Sequence, residues 1–249
     1  MNLGKWQFTP HFWPTLGAVV LIVAFGWLSN WQFHRAAQKQ ALIDAIQAGA
    51  TAAPVDLNAA VRSRQAGQVA RYRHVALHGR YDSAHQVLAS QIMHDSRRGY
   101  YVLTPFHLAG TDAWVIVNRG WLPDTGQAVR QAQLAVPDES RTVTGLWTHL
   151  PRPGIRLGAD APMPAGWPKT MLYPTREQLE AALQRPLLAH AVWLSPDASA
   201  GFVRDWRPAP RFGPSRHIGY AFQWLALAVT VLVVWIILNL HKREHEADE

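Results

Sequence analysis

At 249 residues the chain has room for one or two domains, and about 150 residues suffice for a self-supporting core. Its 24 Lys and Arg against 17 Asp and Glu give a formal net charge of +7, but the basic residues are scattered, with no basic run or nucleic-acid motif, so anionic headgroups are a simpler partner than nucleic acid. The absence of cysteine excludes thiol catalysis, a disulfide framework and thiolate metal sites, and leaves histidine and carboxylate for any copper or zinc.

Hydrophobic residues make up 49% of the chain and charged ones 16%, yet mean hydropathy is only −0.09, so the apolar residues are concentrated locally. The first concentration is "WPTLGAVVLIVAFGWLSNWQF", residues 13–33, which carries no charge and matches the roughly 20 residues that cross a bilayer as a helix. Its length, and bulky Trp31 and Phe33 where a cleaved signal needs small residues, predict a retained anchor. "HRAAQKQALIDAIQAG" continues with good helix formers and predicts a helix that runs on to Gly49. "ATAAPVDLNAA" reads as a loop.

Strand-like runs follow. "RYRHVALHGRY", "HQVLASQI", "GYYVLTPFHL" and "AWVIVNRGW" come first, the last two joined by "AGTD"; "RTVTGLWTHL" and "HAVWLS" repeat the β-branched and aromatic pattern. "TREQLEAALQ" is the one clear helix among them, opened by Thr175 with Glu177 in its first turn. The chain closes on a second apolar run from His217 to Leu240. The expected architecture is therefore two transmembrane helices flanking a mainly antiparallel β (α+β) extramembrane domain. Its boundaries are a tail over 1–11, a span over 12–34, the β-rich domain over 35–215, a span over 216–240 and a tail over 241–249.

No glycine-rich phosphate loop, nucleophile elbow or HExxH pair is present. His74 and His78 share a strand face but stand too far apart to converge on a metal, and His85, His94, His107 and His190 are dispersed surface candidates. In "VNRGW" Asn118, Arg119 and Gly120 follow an apolar strand. Arg119 there suits a carboxylate or acidic partner, or belongs to a structural turn ending the strand. On a helix, Tyr220, Ala221, Trp224 and Ala228 follow His217 as one stripe, with an imidazole at the membrane edge and aromatic rings below it. Trp27, Trp31 and His34 offer an opposing surface on the first span. That set suits a flat apolar cofactor ligated by histidine, and equally suits interfacial aromatics meeting headgroups.

The same residues carry a family likeness. "WQFHRAAQK" (31–39), "YRHVALHGRYD", "GYYVLTPFHL", "VIVNRGWLP" and "RHIGYAFQWLALA" resemble, in order, the blocks of the Surfeit locus protein 1 family, membrane proteins of cytochrome c oxidase biogenesis. Ser29 and Arg216 stand where that family often has glycine and asparagine. The resemblance implies a non-enzymatic assembly factor assisting haem a insertion into oxidase subunit I; the rival reading is a structural scaffold or accessory subunit that packs on the oxidase without holding haem. It implies haem contact at His217, with Tyr220 and Trp224 beside it. Arg119, Trp31, Gln32 and Arg35 become candidates for partner contact, with Arg119 also open to a haem propionate. The implied partners are oxidase subunit I, membrane lipid and the enzymes of haem synthesis, with no nucleic acid. It also implies a multi-pass protein of the inner membrane with a periplasmic central domain and cytoplasmic termini. A local count of Lys5, Lys242 and Arg243 against Arg35, Lys39, Arg204, Arg207, Arg211 and Arg216 points the other way, and long loops escape that rule.

Overall fold

The computed structural model describes residues 2–3, 6–151, 165–206 and 213–242; Lys5, Arg207, Arg211 and Arg243 of the charge count lie outside them. The chain opens with strands β1 (Asn2–Leu3) and β2 (Trp6–Phe8) and the long helix α1 (Phe12–Thr51). Next come β3 (Val55–Asp56), α2 (Leu57–Arg62), β4 (His74–Tyr81), β5 (Val87–His94), β6 (Arg97–Leu108), β7 (Trp114–Pro123) and β8 (Arg141–Thr148). After β9 (Lys169–Met171), α3 (Arg176–Leu183) and β10 (Leu187–Leu194), the last described elements are α4 (Pro214–Leu238) and β11 (Leu240–Lys242). Two compact units result, residues 1–44 with 209–249, and residues 45–208.

The central unit is built on a strand cycle. β4 pairs with β8, β8 with β10, β10 with β7 and β7 with β6; β6 then returns to β4, with Gly79, Arg80 and Tyr81 opposite Leu108, His107 and Phe106. Closure removes the open edges that an apolar sheet would otherwise expose. Pairing is antiparallel around the cycle apart from β10 with β7, and β3–β4 and β5–β9 are also parallel. The stretch between β7 and β10, which holds β8 and α3, is long enough for the crossover that a parallel neighbour requires.

Alternation sorts the side chains. Val75, Leu77 and Tyr81 of β4, Phe106 and Leu108 of β6, Val115 and Val117 of β7, Val143 and Trp147 of β8, and Val192 and Leu194 of β10 fill one cluster. Leu103, Ile116 and Ala191 from the alternate rows join Leu179 and Leu183 of α3 in another, so β7 is buried on both faces. Helix α3 begins as expected at Thr175, whose hydroxyl accepts from the Gln178 amide while the Gln178 side chain returns to the Thr175 amide.

Two loop readings are corrected. Residues 50–60 hold β3 and α2: Val55 pairs with Val75, Asp56 caps α2 through the Ala59 amide, and Leu57 enters the core. Asn58 ties the helix down, donating to the His78 and Ala109 carbonyls and accepting from the His78 amide. Likewise Asn118–Arg119–Gly120 is no strand end, because β7 continues to Pro123. Gly120 bends it with φ +123°, and Trp121 then exchanges backbone hydrogen bonds with Val203 at 2.7 and 3.1 Å. Helix α1 outlasts Gly49 by two residues; Gly49 itself lets the Tyr72 backbone pass where a side chain would overlap it.

In the other unit α1 and α4 are long and apolar enough to cross a membrane. They run antiparallel, for Thr15 meets Trp235 near one end of the pair and Gln32 meets His217 near the other. Both chain ends meet at the first of these: β11 pairs with β2, which pairs with β1, and Asn239 accepts from the Thr9 and His11 amides.

Gly120→Ala should cost about 1–3 kcal/mol, because a β-carbon at that φ is strained and would lie 2.7 Å from the Val203 carbonyl oxygen. Thermal unfolding of the full-length protein in detergent checks this against Gly67→Ala, whose β-carbon meets open space and should leave the midpoint nearly unchanged.

Candidate functional site

The packed face of the helix pair follows a 3,4 spacing. On α1 the covered positions from Thr15 to Ala36 are Thr15, Ala18, Ile22, Phe25, Leu28, Ser29, Gln32 and Ala36; on α4 those from His217 to Trp235 are His217, Ala221, Trp224, Ala228, Val231 and Trp235. Such spacing keeps one seam facing the partner helix, and small residues let the backbones approach. Ala221 is fully buried, and Ala18, Ser29, Ala36 and Ala228 nearly so.

Polar contacts punctuate this seam. The Ser29 hydroxyl donates to the Ala221 carbonyl at 3.0 Å, and one turn toward the mouth His217 Nδ1 lies 2.8 Å from Gln32 Oε1. With the amide oxygen as acceptor, the contact takes the Nδ1–H tautomer, and the Nε2 lone pair is then uncommitted. Among the described residues none hydrogen-bonds Nε2. Deeper in the pair, Trp224 stacks on Phe25 with ring centroids 5.6 Å apart.

The stripe read from sequence borders the seam, and its opposing surface is replaced. His217, Ala221, Trp224 and Ala228 share the seam, but Tyr220 lies on its flank, 43% exposed. Trp27, Trp31 and His34 point away from α4, since the 3,4 register gives the seam to Phe25, Ser29 and Gln32 instead. Trp31 and Arg35 form an exposed group: the guanidinium sits 5.8 Å from the indole centroid and donates to Gln38 Oε1 at 3.0 Å. Phe25 and the role of Ser29 escaped the sequence reading, although the 3,4 recurrence from Thr15 to Ala36 is visible once sought.

Arg119 lies within the central unit, on the inward row after Val115 and Val117, and is 2% exposed. Its Nε donates to the Ala200 carbonyl at 2.8 Å, and Nη1 to Gln86 Oε1 at 2.9 Å and to the Leu134 carbonyl at 2.8 Å. Gln86 is itself fixed by the Thr104 hydroxyl and by the Ser83 and Leu134 carbonyls. Phe202 and Tyr81 flank the guanidinium at 5.1 and 5.8 Å. No carboxylate is among these partners, so carbonyl dipoles and ring faces hold the charge. Burial pushes the guanidinium below its usual value, opposed by Tyr81 and assisted by Arg141. Contact between Arg119 and any partner would first require this cover to open.

The histidines have local partners. His78 reaches Thr142 through Nδ1 and Ser140 through Nε2, and His85 meets Asp82 at 2.8 Å, an aspartate shared with Arg185 at 3.0 Å.

An antiparallel pair of helices long and apolar enough to cross a membrane, with a histidine–glutamine contact in its seam, and a β unit built on a closed strand cycle point to a membrane protein. The chain belongs to the SURF1 family, whose model matches residues 19–229, and membership supports a role in cytochrome c oxidase assembly. No curated protein matches the chain.

Tyr81 provides a pH test of the core. Burial raises its hydroxyl from 10.0 to about 12 against the opposing fields of Arg119, Arg141 and Arg204, and no described residue partners that hydroxyl. A raised folded value means stability is complete below pH 10 and falls between about pH 10 and 12, by about 1.4 kcal/mol per unit while only the unfolded state ionises. Tyr81→Phe should be within about 1 kcal/mol of the parent at pH 8 and lose that part of the alkaline slope, as measured by denaturant unfolding across this range.

Proposed function

We propose that the protein assists haem a insertion into subunit I of cytochrome c oxidase, holding haem transiently at the mouth of the helix pair. The observation that carries this reading is the Nδ1 hydrogen bond to Gln32, which leaves His217 Nε2 available as a ligand. The donor chemistry fits: a neutral, oriented imidazole binds haem iron, and bound haem would supply the iron centre that the oxidase needs. Tyr220, exposed on the flank, offers an aromatic face beside the ligand, whereas Trp224 supports it from within the seam. A single histidine suits a cofactor that must be passed on.

Trp31 and Arg35 present an aromatic and a cation to subunit I or to headgroups. Arg119 contributes by holding the central unit in shape. On this reading the chain sits in the inner membrane with its central domain periplasmic and both termini cytoplasmic. The three-stranded sheet supports the termini sharing one side, since it joins the two tails. Haem-synthesising enzymes are the upstream partners this role requires. The stacked Phe25–Trp224 pair favours the rival reading, a scaffold that packs on the oxidase and never carries haem.

Protein purified from membranes that make haem a should show a Soret band with haem in stoichiometric amount. His217→Ala, folded and prepared identically, should lose at least nine-tenths of it. Equal haem in both would remove His217 from the site, and none in either would favour the scaffold.

A further inference from the structure

We infer that Gln32 is the positioning residue for His217: its amide oxygen fixes the imidazole as the Nδ1–H tautomer and aims Nε2 outward. The inference rests on the haem reading for its purpose, but its geometry stands alone. His217 is on α4 and Gln32 on α1, 185 residues apart in the chain and 2.8 Å apart at the contact. Both occupy seam positions and are half-buried. The Ser29 bond to the Ala221 carbonyl lies one turn deeper on the same two faces, 3.0 Å long, so helix register and the Gln32 contact are set together.

The chemical consequence follows from what each atom can do. A histidine side chain free in water favours the tautomer protonated at Nε2, which would hide the lone pair nearest the ring's outer edge. A carbonyl oxygen at Nδ1 reverses that preference, because only the Nδ1–H tautomer can donate to it. Near the apolar run little water competes for the bond. The acceptor belongs to the other helix, so readiness of His217 to ligate depends on the two spans being paired. A ligand poised by span pairing would be released when the pair is disturbed, for instance on docking to the recipient.

The test uses the full-length protein, haem-free, 15N-labelled at histidine and held in lipid nanodiscs, with the His217 signals assigned by their loss in His217→Ala. The parent should show Nδ1 protonated and Nε2 bare. Gln32→Leu should shift His217 toward the Nε2-protonated form, while Gln32→Glu, which keeps an acceptor oxygen, should retain the parent tautomer. In haemin titrations Gln32→Leu should bind at least about tenfold more weakly than the parent. Gln32→Glu should restore binding and lower the iron midpoint potential, since a carboxylate makes the imidazole more electron-rich. An Nε2-protonated parent, a tautomer indifferent to Gln32→Leu, or parental haemin affinity in that variant would each overturn the inference. If the tautomer responds as stated but His217→Ala binds haemin like the parent, the haem reading fails while Gln32 remains the residue that sets the His217 tautomer.

Discussion

The hydrogen bonds that cross the α1–α4 seam are the contacts on which the site depends. Between helices in hydrocarbon the hydrophobic effect gives no preference for protein over lipid, so close packing and polar contacts must select the register. Ala221 and Ala228 remove bulk where the backbones meet, and Ser29 converts that closeness into a bond to a main-chain carbonyl. Each such bond contributes only about 0.6–2 kcal/mol, but a slip of one residue would lose the bond and drive larger side chains into the seam. Register in turn decides which residue His217 meets.

The central unit meets a different constraint with the same means. Its strand cycle has an inward row that begins apolar and reaches Arg119, a cation held by carbonyls, the Gln86 amide oxygen and two rings. Removing one partner from such a network leaves charge or carbonyls unsatisfied, so the arginine fixes the Gln86 side chain and the Leu134 and Ala200 backbones in one arrangement. It specifies the packing of this end of the core. Arg119 of "VNRGW" thus has an architectural role in this packing.

Much of the fold was legible in the sequence. The two spans, the six longer strands and the capped helix at Thr175 all lie where hydropathy, alternation and capping chemistry put them, because each is a local signal. Strand partners were not legible: closure through β4–β6 and the parallel β10–β7 pair depend on contacts distant in sequence. Val55–Asp56 looked like loop since two residues carry no period, and Asn118–Gly120 of "AWVIVNRGW" also read as a turn since the inward row turns polar there. At the helix pair, His217 and Trp224 were found from composition at the membrane edge. Tyr220 shares that stripe of α4 but not the seam, because i+3 and i+4 neighbours diverge across a narrow seam, and only the partner helix shows which lies inside. Gln32 was singled out through the family likeness, yet its contact with His217 requires the structure.

The pairing of the spans can be tested directly, because the chain has no cysteine to confuse the result. Cysteines placed at Ser29 and Ala221 in native membranes, compared with cysteines at Trp27 and Tyr220, read the seam by oxidative cross-linking at equal expression. The account predicts an efficient intramolecular cross-link for the first pair and little for the second. A cross-link between 27 and 220 with none between 29 and 221 would contradict the seam, and with it the placement of His217 against Gln32.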